Sequence, residues 1–139
     1  MRITISLTSL FLILLFAACG NRDPKYAQYL VQGERLYAQH CSNCHQADGK
    51  GFGSLYPPLA GSDFLAGRKS EVICLIRNGI DSALVVNGIV YDQPMPGNEK
   101  LTDLEIAEIV TYVYGKWGGD KLITEIAEVS RATRDCDLN

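Results

Sequence analysis

The stretch that most limits what this chain can become is CSNCH, residues 41–45: two thiols two residues apart, with an imidazole directly after the second. That arrangement is a haem attachment site. Two thiols on one turn can add across the two vinyl groups of a haem and form thioethers, which holds the adjacent imidazole under the iron as its proximal ligand. Two blander readings compete. A zinc site needs four ligands, and His45 follows Cys44 so closely that both can point at one ion only with strain. A redox dithiol sits before a helix in a βαβ unit, and no such unit is visible. The haem reading outweighs both, and its candidates are Cys41 and Cys44 as thioether donors and His45 as axial ligand.

The periodicity of the chain is that of a helical protein with one small hairpin. Tyr29, Leu30, Gly33, Leu36 and Tyr37 recur at helical spacing and predict a first helix over Tyr26–His40, which delivers the chain to Cys41. A glycine-rich loop with two prolines follows over 46–63. Ser70 is placed to cap a second helix that Gly79 stops. Two β-branched runs flank Asn87-Gly88, the strongest short hairpin signal. QPMPGNEK, residues 93–100, reads as irregular. Thr102 and Glu105 have the spacing of a capping box and open the strongest helix, running to Trp117 with Leu104, Ile109, Tyr112 and Val113 on its apolar face. Thr124 is placed to cap a last short helix to about Thr133. Such short helices and so long a loop make a thin core, which a large prosthetic group would fill.

The iron needs a ligand on its other face. The chain has two methionines, Met1 and Met95, and two histidines, His40 and His45. His40 precedes Cys41 directly, so the thioethers would pin it to the proximal side. Met95 lies fifty residues after His45, and Pro94 and Pro96 on either side have fixed φ and no backbone donor. A lone methionine is more often core packing, but one held stiffly between prolines downstream of a haem site is the candidate distal ligand.

Residues 1–18 have the layout of an export signal: Arg2, a short apolar run from Leu10 to Phe16, then Ala17 and Ala18. The apolar run is shorter than the ~20 residues of a spanning helix. FAAC, residues 16–19, resembles a bacterial lipobox, which implies lipidation at Cys19 and a tether over 19–25. Plain secretion and a retained anchor are the lesser readings. Without residues 1–18 the chain loses one basic residue, Arg2, leaving 12 Lys+Arg against 16 Asp+Glu and a net charge of −4. This mild acidity, with no basic stripe, does not suggest nucleic-acid binding.

Four stretches in this order, HCSNCHQADGKG, YPPLAGSDFL, VVNGIVYDQPMPG and LTDLEIAEIVTYVYGKWG, lie between His40 and Gly118. With them the chain resembles a class I c-type cytochrome. The resemblance implies an all-α cytochrome c fold, about four helices around one covalently bound haem c, with a small hairpin before the methionine loop. It implies that Gly33 and Tyr37 cross Ile109 and Tyr112. It implies that the Pro58 carbonyl accepts the proximal imidazole's hydrogen bond, with Pro57 as the neighbouring alternative. The domain spans 26–118, and 119–139 form a C-terminal extension with Leu122, Ile126 and Val129 to bury.

Of the five cysteines, Cys19, Cys41 and Cys44 are then spoken for, leaving Cys74 and Cys136. An exported domain favours their pairing in a disulfide. The alternative is a buried small hydrophobe and a frayed terminal thiol. The expected function is one-electron transfer on the periplasmic side of a bacterial membrane, between a quinol-oxidising complex and a terminal oxidase or reductase. A permanently bound subunit of a larger dehydrogenase or reductase is the alternative. A haem sensor is less favoured. A peroxidase is argued against because that family carries two haem sites and this chain one motif.

Overall fold

A computed structural model describes residues 23–136. The expected export signal, Cys19 and the tether as far as residue 22 lie outside the described residues. Among the described residues five α-helices carry the fold: α1 (Pro24–His40), α2 (Ser42–His45), α3 (Lys69–Asn78), α4 (Asp103–Val113) and α5 (Ile126–Arg134). Four short strands, β1 (Gly79–Ile80), β2 (Leu84–Val86), β3 (Ile89–Tyr91) and β4 (Met95–Pro96), sit between α3 and α4. The all-α class is as expected.

Local chemistry explains most element ends. α1 begins at Pro24 rather than Tyr26 because the Asp23 carboxylate accepts the Lys25 N–H at 2.9 Å and proline suits the first helical position. At α4 the capping box forms: Thr102 Oγ1 accepts from the Glu105 N–H, and the Glu105 carboxylate accepts from the Thr102 N–H. Asn87 and Gly88 both take positive φ, 53° and 75°, and turn β2 into β3 with Val85 opposite Val90. Asn87 also ties the hairpin tip down, exchanging two hydrogen bonds with Asp63 and donating to the Gly61 carbonyl.

Other ends differ from expectation. Ser70 does not cap α3; it lies in the first turn, and Arg68 occupies the cap with no side-chain bond. Nor does Thr124 cap α5. Its N–H instead donates to Thr111 Oγ1 of α4 at 2.9 Å in the buried interior, and Glu125 takes the cap. The stretch QPMPGNEK is not wholly irregular, since Met95 and Pro96 pair antiparallel with Ile80 and Gly79. α4 ends at Val113 and widens into a π turn over Tyr114–Gly118 instead of running evenly to Trp117.

The scaffold is the crossing of α1 over α4. A Cβ on Gly33 would lie 2.1 Å from the Glu108 carbonyl oxygen, so only glycine lets the backbones approach this closely. Tyr37 and Tyr112 pack beside the crossing, their rings 5.5 Å apart. The buried face of α4 runs Ile106, Ile109, Val110, Val113. Leu104, expected on that face, is 42% exposed: at 100° per residue it stands about 200° round from Ile106. In the extension only Val129 of the three expected residues is buried, joined by Ala132, while Leu122 and Ile126 are exposed.

Candidate functional site

The proximal half of the site is assembled from one continuous stretch. α1 ends at His40, and the Cys44 and His45 N–H groups both donate to the Cys41 carbonyl, winding the thiols and the imidazole onto a single turn. Tyr37 anchors this turn from the scaffold, its hydroxyl donating to the Gln46 carbonyl at 2.6 Å. The loop then doubles back, with Gly51 N–H donating to the His45 carbonyl and Phe52 N–H to the Tyr56 carbonyl, both at 3.0 Å.

This return brings the Pro57 carbonyl to 2.9 Å from His45 Nδ1. A carbonyl can only accept, so Nδ1 carries the proton and Nε2 is the nitrogen available to a metal. The acceptor is therefore Pro57 and not Pro58. Pairing of Phe52 with Tyr56 on one side, and donation from Leu59 and Ala60 N–H to the Gly49 carbonyl on the other, fix which carbonyl turns inward. Gly51 is what lets the loop pass: at φ +68° its Cβ would sit 2.2 Å from the Tyr56 carbonyl oxygen and 2.7 Å from that of Pro57.

The distal half is assembled from distant segments. Met95 is held by the ladder to Ile80 at the end of α3. Beyond it, Asn98 N–H donates to the Ile76 carbonyl at 2.9 Å. The Arg77 guanidinium gathers the rest: it donates to the Glu99 and Leu101 carbonyls and pairs with Asp103 at 2.7 Å. Asp103 also accepts from Ser130 of α5. α3 is in turn joined to the extension by a Cys74–Cys136 disulfide, Cα atoms 5.6 Å apart.

Between the halves lies a cavity lined by Cys41, His45, Pro58 and Met95 and walled by Leu59, Phe64, Leu75, Val86 and Ile109 among others. Cys44, Tyr56, Pro57 and Pro94 line an adjoining recess that shares His45 and Met95. Burial, and then charge on Cys44, pushes the Cys41 thiol up to about 12. Burial also lowers the His45 pKa, against the opposing pull of its bond to Pro57, so a neutral imidazole is favoured.

The donor set fits a haem. Cys41 and Cys44 are unpaired while Cys74 and Cys136 are bonded. An imidazole with one nitrogen engaged by a carbonyl shares an apolar chamber with a thioether side chain. Among the described residues, no group of three or more His, Cys, Asp or Glu side chains offers a metal cluster. His40 is exposed and pairs with the Asn98 amide at 3.1 Å, away from the cavity lining. Sequence reasoning left Pro57 as the alternative to Pro58 and missed Gly51, Arg77 and the packing of Trp117, whose ring stacks near Tyr37 and Tyr112 and closes over Gly49. Gly51 stood within a visible glycine-rich run. For Arg77 no sequence signal existed.

Comparison with known proteins points the same way. A family model described as Cytochrome c matches residues 30–117. Over 97 residues the chain is 34% identical to "Cytochrome c-552" of Thermus thermophilus, covering 67% of this chain and 73% of that protein. It is 30% identical over 105 residues to "Alcohol dehydrogenase (quinone), cytochrome c subunit" of Gluconacetobacter polyoxogenes, covering 69% of this chain and 22% of that subunit. It is 33% identical over 92 residues to "Fructose dehydrogenase cytochrome subunit" of Gluconobacter japonicus, covering 63% of this chain and 19% of that subunit.

Proposed function

The chain belongs to the cytochrome c family, whose members carry covalently attached haem c and transfer electrons, and from that premise we propose a one-electron carrier in which Cys41 and Cys44 would bear the thioethers and His45 and Met95 would hold the iron. The observation that carries this reading is the meeting of Cys41, His45 and Met95 on one apolar cavity, with His45 Nδ1 engaged by Pro57. When bound, haem c supplies a one-electron Fe(II)/Fe(III) couple.

The residues of the chain set the terms of that couple. The Pro57 carbonyl fixes the His45 tautomer and raises the basicity of Nε2. Pro94 and Pro96 stiffen the approach of Met95, and a thioether ligand favours the reduced state, hence a positive potential. The apolar wall excludes water. With His45 and Met95 both holding it, the iron would offer substrate no open site, and the protein would act as a carrier rather than an enzyme.

The partners proposed are a quinol-oxidising complex as donor and a terminal oxidase or reductase as acceptor. Lipidation at Cys19 would keep the carrier on the periplasmic side of a bacterial membrane; bacterial lipoproteins resemble multi-chain anchors, which hold stably. A second reading, a permanent cytochrome subunit of a dehydrogenase, is favoured by the resemblance to the two dehydrogenase subunits.

A spectroelectrochemical titration of wild type and Met95→Ala tests the central reading. Wild type should show a one-electron transition at positive potential and the weak near-infrared band of a methionine–ferric bond, which the variant lacks. A variant with an unchanged spectrum overturns the ligand assignment. Co-purification with a larger subunit at high salt selects the second reading.

A further inference from the structure

We propose that the surface around Leu122 and Ile126, at the N-terminal end of α1, seats on the lipid bilayer and holds the haem site at the opposite end of that helix. This rests on the lipidation of Cys19 proposed above. Cys19 stands four residues before Asp23, and an extended chain spans at most about 3.5 Å per residue, so Asp23 stays within roughly 14 Å of the acylated cysteine. Asp23 shares a surface recess with Tyr26, Lys121, Leu122, Ile123 and Glu125. The tether therefore brings this face, and whatever it displays, to the membrane surface.

What it displays is apolar. Leu122 is 70% exposed and Ile126 43%, while Ile123 between them packs against the core and fixes their placement. One exposed leucine needs no explanation. Two branched apolar side chains on a segment locked beside the chain entry form a small apolar foot, and their insertion at the headgroup boundary is favourable. The segment is locked: Lys25 Nζ reaches both Glu125 carboxylate oxygens, at 3.1 and 3.0 Å, and Lys69 holds Asp120 at 2.6 Å. Those pairs offset the charges of Glu125 and Asp120, while Asp23 and Lys121 share the recess with opposite charges.

The geometry has a consequence for partners. α1 has 17 residues and ends where Cys41 begins, and at 1.5 Å per residue it separates the two ends by about 25 Å. A partner must meet the haem site with an extramembrane domain.

The test is hydrogen–deuterium exchange on the lipidated holoprotein, residues 19–139, in phosphatidylethanolamine–phosphatidylglycerol vesicles, with Cys19→Ser holoprotein of the same residues in buffer as reference. Amides 120–126 should exchange about tenfold more slowly on vesicles, while hairpin amides 84–91 are unchanged. Leu122→Asp with Ile126→Asp should abolish the difference and leave the visible spectrum intact; both positions are exposed, so folding is preserved. Vesicle-bound, acylated protein whose 120–126 amides exchange at the reference rate overturns the inference alone, as does protection of the hairpin instead. Protection that appears without vesicles on raising protein concentration assigns the face to a second copy and also overturns it. An intact mass without acyl chains overturns the lipidation reading and this inference with it.

Discussion

The two walls of the cavity are built in opposite ways. On the proximal side His45 is held by Pro57, twelve residues on, and the loop between them closes on itself. On the distal side Met95 is held by α3, α3 by Asp103 at the start of α4, and α3 again by Cys136 at a separation of 62 residues. Short loops cost little entropy to close and long ones more. The proximal wall is thus a local unit, whereas the distal wall depends on the whole fold. Perturbing the distal contacts should loosen Met95 and leave His45 in place, and the reverse should not hold.

The largest effect is expected from cutting the disulfide. Cys74→Ala with Cys136→Ala should cost up to about 4 kcal/mol, the chain-entropy figure for a loop of some 60 residues. In a denaturant titration the near-infrared methionine band should disappear before the Soret marker of proximal ligation. Coincident loss of the two signals would break the comparison. Next is Gly51→Val on the proximal side. A side chain at φ +68° that collides with the Tyr56 and Pro57 carbonyls should cost about 2–3 kcal/mol. Both spectral markers should then fail together, since the local unit itself is damaged.

Arg77→Leu sharpens the distal case. It removes charge-assisted hydrogen bonds to two carbonyls and leaves Asp103 with Ser130 alone, worth about 1–2 kcal/mol. Exogenous imidazole should bind the ferric protein faster, because Met95 yields sooner; an unchanged rate would show that the β1–β4 ladder suffices. The smallest effect concerns Asp120. The hydrogen bond from Lys69 holds its carboxyl below the ordinary 3.8, helped by the Leu122 N–H. A depressed folded pKa stabilises the protein above 3.8, and that contribution is lost as pH falls through the folded value. Asp120→Asn should therefore reduce stability at neutral pH slightly and leave it unchanged at the acid end of a pH–stability series, with neither haem marker affected.

Much of the site was legible in the sequence because its chemistry is local. The motif at 41–45, the methionine between two prolines and the capping box at Thr102 and Glu105 are each read within a few residues. The crossing of Gly33 over α4 was legible only through family resemblance. Arg77 was not legible at all, since a guanidinium on a helix end looks the same whether it meets water or three acceptors from another segment.

What the sequence determined by itself is whatever a few neighbouring residues settle through covalent geometry and short-range hydrogen bonds: the helix start at Thr102, the Asn87–Gly88 turn, and thiols and imidazole on one turn. Only the tertiary structure decided which proline carbonyl meets His45, that Met95 and Pro96 pair with α3's end, that Thr124 docks on Thr111 rather than capping α5, and that Leu122 and Leu104 face outward. Each of those outcomes depends on where a segment distant in sequence comes to rest, and a side chain's burial or partner is a property of that encounter rather than of its own residue type.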